Sequence, residues 1–284
     1  MIFIIISSCG QNSSEKKLNG KWFELENEYA TWEFYSDSLI FGTEFKYNFE
    51  WEASDADIKF DYITYSYGSE GKQIKYEDKI VIDYNLNNDN DSLFGTLRNK
   101  YGIHKFSMLK TKSYTEYLNK KFQIIFSLPQ NKKAEPIKDY GFYGLKVFIG
   151  TSNNKIIGRT ELSENLNNIE SDIKIFKDSI SPSQHPLNHA REISEEEHKR
   201  LLDRRFHLRV FADKTVPDST ITKYLSVTVN GDSSIFNEVF TRFKVKLPHT
   251  VPIRIIRIYN KEEEIDPWNI NGIEIKTIAN NLYN

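Results

Sequence analysis

The side chains that could do chemistry are few in this sequence, and their spacing limits what each group could do. His185 and His189 stand four residues apart, with His198 and the carboxylates Glu192 and Glu196 close by. Such a set could ligate a divalent cation if the imidazoles converged. Pro182 and Pro186 prevent a regular helix there, so that geometry does not follow and the histidines are expected to be solvated loop side chains. Asn87, Asp89 and Asp91 alternate like the ligands of a calcium loop, but Ser92 stands where the sharp turn needs Gly and Arg98 stands at the closing Glu position. A hairpin turn is the expectation. Gly150-Thr151-Ser152-Asn153 lacks the second Gly of a serine nucleophile elbow. Asp55 and Asp57, and Glu262 to Glu264, lie in polar runs where carboxylates are usually solvated. The sequence therefore predicts no catalytic residue, no metal site and no cofactor; an enzyme without a recognisable motif ranks third among the readings.

The elements around these residues set the class of the molecule. With 284 residues the chain is long enough for two domains. Hydrophobic residues make up 39% and charged residues 27%, enough to bury a core and cover it. The net charge of −2, with Lys and Arg scattered, supplies no continuous basic face for a nucleic-acid backbone, so that partner class is excluded. The aromatic content of 14% favours strands with one buried and one solvated face. No stretch approaches the ~20 apolar residues needed to span a bilayer, so membrane attachment would have to be through lipid.

Ile2 to Ile6 form an apolar run, followed by Ser7-Ser8-Cys9-Gly10 and the polar stretch Gln11 to Lys17. This resembles the lipobox of bacterial lipoprotein signal peptides, over Ile6 to Gly10 and with Ile6 where the pattern usually has Leu. The resemblance implies that Cys9 takes a diacylglycerol and that the protein resides in the bacterial cell envelope, periplasmic or surface-facing. Residues 1–17 are then a signal remnant and a flexible polar tether. As Cys9 is the single cysteine, no intramolecular disulfide, zinc-finger spacing or Cys-x-x-Cys pair is possible.

Residues 18–117 show short aromatic and β-branched runs broken by polar turns, the pattern of an antiparallel meander closing into a β barrel. About eight strands are predicted: Trp22–Leu25, Thr31–Tyr35, Leu39–Phe41, Phe45–Trp51, Ile58–Tyr67, Lys79–Tyr84, Ser92–Leu97 and Ile103–Leu109. Gly20-Lys21-Trp22, with the hairpin from Trp32 through Ser36-Asp37-Ser38 to Leu39, resembles the lipocalin-like domains of bacterial envelope proteins. That resemblance implies that Trp22 closes the barrel base and that the interior, lined by Trp22, Trp32, Phe34, Phe49 and Trp51, holds a small apolar ligand. The alternative is a barrel filled by these same side chains.

Residues 118–284 are predicted to form an α+β domain. Gln123–Leu128 and Leu145–Gly150 read as strands. Thr160 to Phe176 reads as a helix with Leu162, Leu166, Ile169 and Ile173 on one face. Ser194 and Glu197 form a capping box for a helix reaching Arg205. Phe206–Ala212 is a strand, Pro217 opens a helix through Ile221 and Leu225, and Ile235–Val245 and Ile253–Tyr259 return to strand. The order of elements from Leu145 to Val239, with Ala212-Asp213 and Val216-Pro217 before a helix, resembles the periplasmic domain of the ExbD and TolR family. It implies an envelope protein partner. The leading expectation is thus a lipid-anchored envelope protein that binds a small apolar ligand or a protein partner without catalysis. The alternative is a structural protein with a filled barrel, docking on an ExbD/TolR-like or other membrane complex.

Overall fold

The computed structural model describes residues 11–43, 46–67, 73–99, 102–137, 143–152, 155–181, 193–230 and 251–280. Cys9 with the apolar run before it, Glu70-Gly71, His185, His189, Glu192 and the expected strand Ile235–Val245 lie outside the described residues. The chain divides into two compact units, Met1–Lys121 and Phe122–Asn284.

The first unit begins with helix α1 (Ser13–Leu18), where a flexible tether was expected. Asn12 and Glu15 form a reciprocal capping box that satisfies otherwise unpaired amides, and Leu18 is fully buried. Nine strands follow: β1 (Gly20–Glu24), β2 (Thr31–Phe34), β3 (Leu39–Gly42), β4 (Lys46–Phe49), β5 (Trp51–Ala53), β6 (Asp57–Tyr67), β7 (Gln73–Leu86), β8 (Ser92–Asn99) and β9 (Gly102–Lys110). All pairings are antiparallel and the order is β4-β3-β2-β1-β9-β8-β7-β6-β5. The two ends of this sheet are halves of the one strand expected over Phe45–Trp51, interrupted at Glu50. A nearly closed, barrel-like sheet results. Across the seam, the rings of Tyr47 and Phe49 on β4 meet Tyr62 on β6 at centroid distances of 6.2 and 5.3 Å.

Period-two alternation sends Trp22, Trp32, Phe34, Leu39, Phe49, Ile58, Phe60, Ile82, Leu93, Phe106 and Met108 into one core. Gly95 makes room for it, since a Cβ there would lie 2.5 Å from the Phe106 ring. Phe23 points to the other side of β1 yet is also buried, because helix α2 (Tyr114–Phe122) covers it. Tyr117 stacks on Phe23 at 5.0 Å and Tyr114 packs tilted against it at 6.0 Å, the Tyr117 hydroxyl donates to the Glu24 carbonyl at 3.0 Å and Lys121 Nζ donates to the Leu25 carbonyl at 2.8 Å. The expected boundary at 117/118 therefore falls inside α2, and the first unit runs to Lys121.

The second unit holds β10 (Glu135–Pro136), β11 (Gly144–Ser152), β12 (Lys155–Thr160), α3 (Ile169–Ser179), α4 (Glu195–Arg205), β13 (His207–Ala212), α5 (Asp218–Asn230), β14 (Val251–Tyr259) and β15 (Asn271–Asn280). Its sheet is mixed, in the order β10-β15-β14-β13-β11-β12, with β11, β13 and β14 parallel. Every residue of β13 is buried, as central parallel strands covered on both faces require. Ile169, Ile173, Ile221 and Leu225 from α3 and α5 share a core with Leu145, Val147, Leu208, Val210 and Ile255 of the sheet. The other face carries Phe148 and Phe211, with rings 5.4 Å apart, against which Phe126 packs.

Two expectations need correction, and two strands were not foreseen. The helix expected from Thr160 starts at Ile169, preceded by a short 3-10 turn at Leu166–Asn168. Residues 155–160 are instead strand β12, unforeseen from sequence, and the Thr160 hydroxyl accepts from the Leu162 and Ser163 amides, stopping the chain from winding there. Leu162 is consequently 46% exposed, whereas Leu166 is fully buried. Gln123–Leu128 is not a strand; only Ile125 makes a bridge, to Thr151. Strand β15 was also unforeseen. By contrast, Ser194 caps α4 by accepting from the Glu197 amide.

Two outcomes follow. A fragment of residues 11–121 should give a β-type circular-dichroism spectrum with cooperative unfolding, while one ending at residue 112 should be less stable for want of α2 over Phe23. By denaturant titration, Trp22→Ala and Leu166→Ala should cost about 3–5 and 2–5 kcal/mol, against roughly 0.5 kcal/mol or less for the exposed Leu162→Ala.

Candidate functional site

The five residues expected to line a ligand site come together inside the barrel-like sheet. Trp22, Trp32, Phe34 and Phe49 are buried and Trp51 is partly so. The Trp32 ring lies 4.2 Å from Phe41 on the neighbouring strand and 5.8 Å from Phe106 on β9. It also lies 6.1 Å from Phe60 on β6, five strands away along the hydrogen-bonded ladder. Phe34 meets Trp51 at 4.8 Å, and Phe49 meets Phe60 at 5.4 Å. At this level side chains occupy the interior, in stacked, tilted and edge-to-face arrangements.

The indole N–H groups are satisfied within the protein. Trp22 donates to the Leu18 carbonyl at 2.7 Å, Trp51 to the Tyr35 carbonyl at 3.0 Å and Trp32 to the Glu24 carboxylate at 2.9 Å. Burial raises the Glu24 pKa, with the Trp32 hydrogen bond opposing it. Beside the interruption at Glu50, a cleft of about 420 Å³ lined by Trp51, Phe60 and Ile80 opens among the charged Glu52, Lys59, Asp61 and Lys79.

A larger cleft, of about 730 Å³, lies at the end of the sheet where α1 packs. Lys16 and Lys17 come from α1, Lys21 from β1, Lys110 from β9, and Lys112 from the link to α2. Gly20, at φ +126°, holds a conformation open to glycine and lies against the Lys110 side chain. The Lys110 ammonium donates to the Lys17 carbonyl at 2.8 Å and sits 5.5 Å from the Trp22 ring centroid. Burial lowers its pKa.

In the second unit, polar residues interrupt the apolar central strands. Arg209 is 1% exposed, and its Nε–H donates to His207 Nε2 at 3.0 Å. The His207 ring is therefore neutral with its proton on Nδ1, which donates to the Arg205 carbonyl at 3.0 Å. Burial, with Arg209 beside it, pushes its pKa down to about 3. On the adjacent strand Lys146 pairs with Glu161 at 3.2 Å. Gly144 admits this arrangement, because a Cβ there would lie 2.3 Å from Arg209 Nε. Just after β13, Asp213 accepts from the Ser127 and Thr215 amides and the Thr215 hydroxyl. Burial opposes ionisation there, but these bonds outweigh it and lower the pKa.

The remaining candidates do not assemble into a site. His198 is no solvated loop residue: it is buried on α4, its Nε2 2.9 Å from the Ile180 carbonyl. Glu196 is exposed, and among the described residues no three His, Cys, Asp or Glu side chains group to hold a metal. Asn87 and Asp91 belong to the β7–β8 turn, where the Asn87 side chain accepts from the Asp91 and Ser92 amides. Lys120 pairs with Asp91 at 3.0 Å and lowers its pKa. Asp55 accepts from the Ser14 hydroxyl and so helps seat α1, while Glu262 to Glu264 are exposed. Sequence reasoning missed the lysine cleft and the His207–Arg209 pair; the signals were the Asn12-x-x-Glu15 box and two polar residues at spacing two within an apolar strand.

No protein-family model, no curated protein and no solved structure matches the chain.

The His207 geometry fixes a pH dependence. A folded-state pKa near 3 lies below the unfolded value of 6.5, so the unfolded chain binds more protons and stability falls as pH drops from about 6.5 toward 3. Denaturation midpoints should show a slope of up to about 1.4 kcal/mol per pH unit from this group. In His207→Gln, whose amide oxygen can still accept from Arg209, the slope between pH 4 and 6 should be smaller by that amount.

Proposed function

We propose that this chain is a lipid-anchored bacterial envelope protein that works by non-catalytic binding, its barrel-like unit a solid platform for docking on another envelope component. The observation that carries the platform reading is the set of ring contacts between Trp32 and Phe106, Phe60 and Phe41, which places side chains where a bound apolar molecule would lie. Polar satisfaction of all three indoles within the protein points the same way. This favours the filled-barrel alternative over uptake of a small apolar ligand.

The lipid anchor is supported by Ile6 to Gly10 in the sequence, and the lipocalin-like reading by Gly20-Lys21-Trp22, where Trp22 is fully buried beside α1. For the second unit, an α+β assignment with an ExbD/TolR-like docking role is supported by the succession of β13, Ala212-Asp213, Pro217 and α5. Among the described residues no helix is long and apolar enough to cross a membrane.

Native mass spectrometry of gently purified protein should show the mass of the chain without a co-purified lipid, and an environment-sensitive naphthylamine dye should gain no fluorescence. Stoichiometric lipid, or dye uptake abolished by Trp32→Phe, would restore the ligand-binding reading. Joined to a complete lipoprotein signal at Ser7, the chain should incorporate a fatty-acid analogue and fractionate with membranes, whereas Cys9→Ser should do neither; equal labelling of the two would remove the anchor.

A further inference from the structure

The lysine cleft bears on how such an anchored protein would meet its membrane. Five lysines and four carboxylates line it. None of the five lysines forms a salt bridge with a described residue, although Lys110 is held by the Lys17 carbonyl and Lys21 faces Glu33 across the β1–β2 ladder and helps lower its pKa. Three of the carboxylates are engaged by lysines outside the lining: Glu33 by Lys46 at 2.8 Å, Asp91 by Lys120 at 3.0 Å, and Glu116 by Lys120 at 3.8 Å. The cleft therefore presents ammonium groups that no salt bridge with a described residue holds, those of Lys16, Lys17 and Lys112 exposed, around a concave space with Gly20 in its wall.

The second observation is the course of the chain that leads to it. Gln11 donates to the Asn19 side chain at 2.8 Å and to the Tyr35 carbonyl at 3.2 Å, and Asn12 donates to the Ala53 carbonyl at 2.7 Å. From residue 11 onward the polypeptide is thus fastened to the barrel-like unit. Cys9 precedes that anchor point by two residues, a reach of at most about 7 Å. A lipid on Cys9 would hold this end of the sheet against the bilayer, and Tyr35 and α1, next to the anchor point, are themselves part of the cleft wall.

We propose that the cleft formed by Lys16, Lys17, Lys21, Lys110 and Lys112 is a docking surface for anionic phospholipid headgroups, seating the barrel-like unit directly on the membrane instead of letting it stand off on a tether. The proposal rests on the lipid-anchored reading for its biological setting, but its chemistry belongs to the folded chain and is tested without acylation. A lysine near an anionic surface contributes about 1 kcal/mol, a factor of about five in partitioning, and the attraction is screened within a Debye length.

The test uses the full chain carrying Cys9→Ser and measures co-sedimentation with vesicles of equimolar phosphatidylglycerol and phosphatidylcholine, and with pure phosphatidylcholine. Binding is expected to the anionic vesicles alone and to weaken with added salt. The exposed triple substitution Lys16→Gln, Lys17→Gln, Lys112→Gln should lower it about a hundredfold. The charge-matched control Lys75→Gln, Lys79→Gln, Lys105→Gln removes exposed lysines toward the opposite end of the strands and should retain most binding. Circular dichroism of both triples should match the parent. Equal binding to neutral vesicles, an equal loss in the control, or no loss in the cleft variant would overturn the proposal. So would displacement by inorganic phosphate beyond that by chloride at equal ionic strength, which would assign the cleft to a soluble phosphate. Because no acyl chain is present, failure here leaves the Cys9 labelling result standing, and failure of that labelling leaves this result standing.

Discussion

Closure of the first sheet depends on aromatic rings meeting across a space that no backbone hydrogen bond between described residues spans. Strands β4 and β5 are the two ends of the ladder, and the chain between them breaks at Glu50, so the backbone leaves a seam. Tyr47, Phe49 and Tyr62 bridge that seam, and Trp32 with Phe60 joins opposite walls. A sheet of this width with one apolar face must curl or be covered to keep that face from water. The rings let it curl onto itself. Gly95 takes part by having no side chain, since Phe106 reaches Trp32 through the space a Cβ would occupy.

The same constraint accounts for the two helices of the first unit. Leu18 and Trp22 lie at one end of the core, and α1 is seated there by Leu18, by the Asn12 bond to Ala53 and by Ser14 on Asp55. Along the outside, Phe23 would be exposed by the strand alternation that buries Trp22, and α2 covers it with Tyr114 and Tyr117. Each helix thus answers to a specific apolar surface. Neither is long enough to be stable alone in water, so both exist by virtue of the sheet they cover.

In the second unit, parallel pairing of β11, β13 and β14 makes crossover connections necessary, and α3 and α5 bury their apolar faces on the strands they connect. The opposite face mixes phenylalanines with Lys146, His207 and Arg209. Buried cations beside a histidine held neutral make that face sensitive to protonation, because a proton on Nε2 of His207 would remove the acceptor that Arg209 uses.

Much of the first unit was legible in the sequence because a two-residue period is a local property: the runs from Trp22 to Leu109 lie on β1 to β9, and the break at Glu50 turns one expected strand into two. The α4 cap at Ser194 and the helix after Pro217 were legible for the same reason, since a cap is satisfied within one turn. Leu162 shows the limit. Its spacing to Leu166 fits a helix, but the Thr160 hydroxyl and the β11–β12 hairpin, which depends on a neighbouring strand, set where winding begins. The sequence by itself determined which side chains were available to a core, the antiparallel grammar of the first unit and the single cysteine that could carry a lipid. Only the tertiary structure decided that Trp32 meets Phe60 inside the sheet and that two distant stretches, Lys16 to Lys21 and Lys110 to Lys112, share one cleft. Both are contacts between residues far apart in the chain, which no local spacing encodes.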